Sequence, residues 1–282
     1  MFKRAVICTD LSPSSESLIA CAGALGAIGV QEAVLAYVID IGAPGAGMID
    51  GSTDAAFARQ AEAIERAGIR VHVDTTVGYP PYAIEQIAEQ HDASLIVIGS
   101  HGKGLFVSAF SGSVSSDLVR ISARPVLLAV LSALGSNDES SAVCGRLLSR
   151  VLFPTDLTAV SAMAANYLVR LAPHGLGTVD IVHVVDNTVG NGIEFRRCDA
   201  QERLAVLEGD LLAAGAAAVT TEVLVGSPER ETARRCAMDG HSMIVMAPRC
   251  DEDPGHPLGG VTHAVIQSTH TPVLLIPPGC RR

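Results

Sequence analysis

Four segments of this chain occur twice, at a nearly constant separation. Arg150-Val-Leu-Phe-Pro-Thr-Asp156-Leu157 repeats the pattern of Arg4-Ala-Val-Ile-Cys-Thr-Asp10-Leu11. Val225-Gly226-x-Pro228 repeats Val77-Gly78-x-Pro80, and Ser242–Met246 repeats Ser94–Ile98. Thr271-Pro-Val-Leu-Leu-Ile276 repeats Arg124-Pro-Val-Leu-Leu-Ala129, and the offset stays between 146 and 148 residues throughout. So steady an offset is the mark of a duplicated unit. The 282 residues therefore divide into a first domain over 1–133, a linker over 134–149 and a second domain over 150–282. The linker is polar around Gly135-Ser-Asn-Asp-Glu-Ser-Ser141.

Each unit reads as alternating strands and helices. In the first, Ala5–Cys8 is a short apolar strand. Ser12 then suits a helix N-cap, Pro13 the first helical position and Glu16 the first turn. Leu18, Cys21, Ala22 and Leu25 give that helix its apolar stripe. Ala33–Ile39 is a second strand, 41–52 a Gly- and Pro-containing loop, and Asp54–Ala67 a helix closed by Gly68. Val71–Val77 alternates as a third strand. Pro80-Pro81 opens a helix that buries Ile84, Ile87 and Ala88. Leu95–Ile98 is a fourth strand ending at Gly99, and Val126–Val130, set off by Pro125, a fifth. The expected architecture is α/β, with two tandem doubly wound parallel-sheet domains.

The stretch between the fourth strand and the next helix carries the chemistry. Gly99, Gly102, Gly104 and Gly112 lie in it, with Ser113 after the last, and Val114, Leu118 and Ile121 follow at helical spacing. A strand, a glycine-rich loop and a helix N-terminus form an anion cradle. Glycines admit close approach, bare N–H groups point at the anion, and the helix dipole favours negative charge. Ser113 can add a hydroxyl and Lys103 a cation; the chain has only one other lysine, Lys3. The loop is neither Gly-x4-Gly-Lys-Ser/Thr nor Gly-x-Gly-x-x-Gly. By spacing alone, a flexible strand-to-helix connection is the plainer alternative.

The spacing Gly99-x2-Gly102-x9-Gly112-Ser113, followed by Arg124-Pro125-Val126-Leu127-Leu128, resembles the ATP-binding class of universal stress proteins. The resemblance covers nearly the whole chain as two copies. It implies the universal stress protein or adenine nucleotide alpha hydrolase-like fold, and ATP as ligand, with Mg²⁺ optionally beside the phosphates. The phosphates would rest on N–H groups at Gly102, Gly112, Ser113 and Val114. Asp10, with Thr9 beside it, would face the adenine end, where Val38 and Ile98 would line the pocket. Gly99, His101 and Lys103 would contact ribose or phosphate. The resemblance also implies pairing through the last strands, as an intrachain pseudo-dimer or a homodimer, and a regulatory role in stress response. Asp10 has a second reading, as a brace for the turn after the first strand, because Asp156 occupies the same place in the other half.

The second half departs from the motif. Ala247 and Cys250 replace the first two glycines, Gly260 keeps the third, and Val261 replaces the serine, with Thr262 following. Asp251, Glu252 and Asp253 would repel a triphosphate. Losing the hydroxyl removes about 1–3 kcal/mol if its bond were charge-assisted. The first half is expected to bind nucleotide and the second not.

Composition narrows the partners. A net charge of −10 argues against nucleic acid or an anionic membrane. An apolar content of 48% with 4% aromatics calls for aliphatic cores. Seven cysteines without Cys-x-x-Cys indicate neither a disulfide framework nor a zinc site, so a cytoplasmic location is expected. Cys8 and Cys21 fall on apolar elements and read as inert core thiols, and His183 as a half-buried strand residue. No catalytic constellation is legible. The alternatives to ATP-linked regulation are a ligand-free scaffold for an unknown protein partner and a slow ATP-hydrolysing enzyme.

Overall fold

A computed structural model of the chain describes residues 1–20, 22–40, 51–100, 114–130, 146–190, 192–238, 240–250 and 258–280. It divides into two compact units, Met1–Gly145 with Gly279–Arg282, and Arg146–Pro278. Cys21, loop residues 41–50, the cradle residues 101–113, linker residues 134–145 and the Asp251-Glu252-Asp253 cluster lie outside the described residues.

The N-terminal unit contains β1 (Arg4–Cys8), α1 (Pro13–Ala20), α2 (Ala22–Ala27), β2 (Glu32–Asp40), α3 (Gly51–Arg66), β3 (Arg70–Gly78), α4 (Pro80–Gln90), β4 (Leu95–Ser100), α5 (Val114–Ile121) and β5 (Val126–Val130). Its strands are parallel in the order β3-β2-β1-β4-β5. β1 lies at the centre, and Ala5, Val6 and Ile7 are almost fully buried on it. Burying each large aliphatic side chain contributes about 1.5–3 kcal/mol. The sequence devices act as expected. Ser12 Oγ accepts the Ser15 N–H (3.3 Å), and Gly68 takes φ +81° after α3. β4 runs one residue beyond the expected Gly99, because Ser100 still pairs with Val130.

The C-terminal unit repeats this plan with β6 (Arg150–Pro154), α6 (Ala159–Leu171), β7 (Thr178–Asp186), α7 (Ile193–Ala214), β8 (Ala218–Gly226), α8 (Pro228–Cys236), β9 (Met243–Met246), α9 (Gly260–Ser268) and β10 (Val273–Leu275). A short 3-10 turn, Ala172–His174, follows α6. The order β8-β7-β6-β9-β10 matches that of the first unit. Thr158 caps α6 and Ser227 caps α8. Leu147 and Leu148, at the end of the expected linker, are buried. In both units the chain reverses its winding direction beside the first strand, between β1 and β4 and between β6 and β9. That reversal opens a crevice at the carboxyl ends of the strands.

Candidate functional site

Both domains place the same turn at this crevice. In the first, Thr9 Oγ1 accepts the Leu11 N–H (2.9 Å) and donates to Gln60 Oε1 (2.8 Å). Asp10 Oδ1 accepts the Ser12 N–H (3.0 Å) and the Ser15 hydroxyl. In the second, Thr155 Oγ1 accepts the Leu157 N–H (3.1 Å) and donates to Ser161 Oγ (3.0 Å). Asp156 Oδ1 accepts both the N–H (3.0 Å) and the hydroxyl (2.7 Å) of Thr158. Leu11 and Leu157 are held at φ 59° and 60°, a left-handed conformation that costs a branched residue about 1–2 kcal/mol. The threonine and aspartate bonds offset that strain. The turn role read for Asp10 is thus present in the geometry.

Of the other sequence-derived positions, Val38 is half-buried near the end of β2, Ile98 is buried on β4, and Gly99 pairs with Ala129. The register sets the carboxyl ends of β2, β1 and β4 side by side, which brings Val38, Thr9 and Ile98 to one end of the sheet. Val114 opens α5. His101, Gly102, Lys103, Gly112 and Ser113 lie outside the described residues.

The matching crevice of the C-terminal domain is a cavity of about 740 Å³, within the range of small-molecule sites. Thr155, Asp156, Val184, Met246, Ala247, Arg249, Gly260, Val261 and Thr262 line it. By the repeat these are the counterparts of Thr9, Asp10, Val38, Ile98, Gly99, His101, Gly112, Ser113 and Val114. Arg249 donates to Asp156 Oδ2 through Nε (2.9 Å) and a terminal nitrogen (2.6 Å). Burial opposes ionisation of Asp156, but hydrogen bonds from Thr158, Ser161 and Arg249 prevail and hold its carboxyl below the usual range. His183, half-buried as expected, has Nδ1 2.9 Å from the Thr155 carbonyl oxygen. Arg196 donates to the Asp186 (2.9 Å) and Val189 (2.6 Å) carbonyls. Arg203 donates to the Leu157 carbonyl.

Glu229, in the first turn of α8, also faces the cavity. A Cβ placed on Gly260 would stand 1.9 Å from Glu229 Oε1, so this exposed side chain extends to the start of α9. Gly259, the N-cap of α9, has φ 80°, and a Cβ there would stand 3.2 Å from the Arg249 carbonyl oxygen. Sequence reasoning missed Glu229, Arg196, Arg203 and Gln60. Only the first left a signal: overlaying the halves at Val77-Gly78 and Val225-Gly226 sets it against Pro81.

Among the described residues, no helix is long and apolar enough to cross a membrane, and no group of three or more His, Cys, Asp or Glu is placed to hold a metal. Burial pushes the Cys8 and Cys236 thiols up to about 12, which leaves both unreactive at neutral pH.

Two parallel α/β units, each reversing its strand order beside its first strand, define a tandem doubly wound protein. The universal stress protein family model matches residues 1–129 and again 148–277, and the chain belongs to that family. A universal stress protein of Methanocaldococcus jannaschii is 35% identical over 65 residues, which cover 23% of this chain and 40% of that relative. A universal stress protein structure from Archaeoglobus fulgidus superposes with a TM-score of 0.74 at 24% identity, covering 99% of this chain and 96% of that one. A Pseudomonas aeruginosa structure assigned to the same proteins gives a TM-score of 0.67 at 13% identity, over 99% of this chain and 94% of that one. At such identities these structures speak to the fold.

Proposed function

We propose that the N-terminal domain binds ATP, that the C-terminal domain does not, and that the chain acts as a regulatory stress protein. The observation that carries this reading is the intact Gly99-x2-Gly102-x9-Gly112-Ser113 spacing between β4 and α5, beside the strand reversal, and its loss in the second half. Bare N–H groups at a helix start serve triphosphate well, which reconciles anion binding with a net charge of −10. The convergence of nine counterpart residues on one cavity in the sister domain supports the choice of positions. The adenine lies against Val38 and Ile98, and Thr9 and Asp10 shape the turn beneath it. A Mg²⁺ ion that accompanies the nucleotide is held mainly through phosphate oxygens and water. The residues named supply binding groups and no activated nucleophile or base, so the reading is of a binding protein.

Isothermal calorimetry with ATP tests it. Wild-type protein binds one equivalent, and Gly112→Val, which puts a branched side chain into the cradle, binds at least tenfold more weakly while remaining folded. A folded wild type that takes up no ATP favours the scaffold for a protein partner. Steady release of ADP or AMP favours the enzyme.

A further inference from the structure

Both domains tie the residue before their fourth strand to the start of their first with one stitch. Ser94 donates to the Arg4 carbonyl through its N–H (2.8 Å) and its hydroxyl (3.0 Å). Ser242 donates to the Arg150 carbonyl in the same two ways (2.8 and 2.9 Å). Ser242 Oγ also accepts the Arg150 N–H (3.0 Å) and lies 3.0 Å from the Leu147 carbonyl oxygen. The second stitch therefore anchors the segment by which the chain enters the C-terminal domain. Leu147 and Leu148 are buried there, and the Leu148 carbonyl accepts the Gly177 N–H (2.7 Å).

What stands beside the stitch differs. Overlaid at Ser94 and Ser242, the halves set His241 against Ala93; overlaid at their first strands, they set Asp180 against Val34. Ala93 and Val34 are buried and apolar. The His241 and Asp180 side chains are almost fully buried, with Nε2 2.9 Å from Asp180 Oδ2. A carboxylate only accepts, so Nε2 carries the proton of the neutral ring. Nδ1 is buried and has no partner among the described residues. Two cations also act on the ring: Arg150 of β6, bonded to the same carboxylate, and Arg235 of α8, paired with Glu222 of β8. Thr220 of β8 donates to the other Asp180 oxygen (2.6 Å). A second proton on the ring puts a charged N–H where nothing accepts it, and only Asp180 favours that charge.

We propose that His241 is an acid-operated latch on the entry segment of the C-terminal domain. When Nδ1 takes a proton from water, the ring leaves its seat to solvate the charge. Ser242 moves with it, and the stitch to Leu147 and Arg150 opens while the strands beyond it stay paired. The closed seat binds fewer protons than the open one, so acid below about pH 6.5 favours opening. The N-terminal domain has Ala93 at this place and keeps its stitch. Its His91 pairs with Asp74 where both are partly open to water, which solvates the charge in place.

Amide hydrogen exchange of the full chain tests the latch, read by NMR at pH 7.5 and 5.5 and corrected for intrinsic rates. On acidification the opening constant at the Ser242 and Gly177 amides rises about threefold or more, within the limit of about tenfold per pH unit that one proton sets. The Ser94 amide is the internal control and changes by under about twofold, because no buried histidine stands beside it. His241→Gln keeps a donor for Asp180 but does not titrate, and it removes the rise. His241→Ala, which installs the residue found at position 93, does the same; either variant, shown folded by its amide spectrum, suffices. An unchanged Ser242 amide in wild type overturns the latch, as does an equal rise at Ser94 or a rise that persists in a folded variant.

Discussion

The two domains share the turn after their first strands and differ at the start of their last helices. Thr9-Asp10-Leu11 and Thr155-Asp156-Leu157 form matching turns, in which the threonine and aspartate accept the same backbone N–H groups and the leucine is left-handed. At the later helix, Gly112-Ser113 of one half corresponds in sequence to Gly260-Val261 of the other. The turn solves a folding problem that both copies have. At the helix start the two sequences diverge, and on the proposed reading that divergence marks the domain that binds nucleotide.

A second contrast lies at the opposite ends of the strands and yields the largest expected effect. Arg4 pairs with Glu32 on β2, which is partly open to water, and Arg70 reaches the same carboxylate. Its counterpart Arg150 donates through Nε to Asp180 (2.7 Å), a side chain only 2% exposed. Asp180 also accepts from Thr220 (2.6 Å) and lies 2.9 Å from His241 Nε2, whose ring is 1% exposed. Asp180→Ala strands these groups and should destabilise the C-terminal domain by about 3–5 kcal/mol, while Glu32→Ala should cost the N-terminal domain distinctly less. Urea unfolding followed with a reporter in each domain checks this, and equal losses would break the contrast.

Next in size is the hydroxyl of the shared turn. Gln60 is buried, and its Nε2 has no partner among the described residues, so Thr9→Val leaves the amide with none. Ser161 keeps a bond to the Thr158 carbonyl (3.0 Å) when Thr155→Val removes its neighbour. The first variant should cost about 1–3 kcal/mol and the second distinctly less. Paired denaturation midpoints decide it.

The pH response separates the domains more gently. Burial holds the His241 imidazole below its usual 6.5, against the opposing pull of Asp180. Burial raises Asp180, but the bonds from Arg150, Thr220 and His241 together hold it below 3.8. In each case the folded state binds fewer protons than the unfolded chain. Stability is therefore present above the ordinary pKa and lost on acidification, for His241 from about pH 6.5 downward and for Asp180 below its ordinary carboxylate range. One such proton gives at most about 1.4 kcal/mol per pH unit. The C-terminal urea midpoint should fall between pH 7 and pH 5, and His241→Gln should flatten that fall; an unchanged slope contradicts the assignment.

The smallest effect belongs to the Arg249–Asp156 bridge, with side chains 58% and 40% exposed. Arg249→Ala should change stability by under about 1 kcal/mol, as exposed pairs do, and a larger loss in thermal unfolding would mean that the bridge holds the cavity closed.

The sequence disclosed most of the scaffold because its signals are local. Apolar runs such as Ala5–Cys8 and Leu95–Ile98 can be little but buried strands, Ser12 and Gly68 punctuate helices, and the repeat counts the domains. Asp180 was not legible in Thr178-Val-Asp-Ile-Val-His183. Its partners Arg150, Thr220 and His241 lie 30 to 61 residues away and meet only through the sheet. Glu229 was hidden for another reason: a glutamate in the first turn of a helix reads as an ordinary complement to its dipole. Its place beside Gly260 follows from the packing of two helices. The turn function of Asp10 was readable only because the chain carries Asp156 as an internal control.

Native mass spectrometry of the intact chain with ATP tests the central claim, that only one of two similar folds offers a phosphate seat. The account predicts a single nucleotide adduct per chain, lost in Gly112→Val and retained in Gly260→Val. Two adducts on the wild type, or one that survives Gly112→Val and disappears with Gly260→Val, would contradict it.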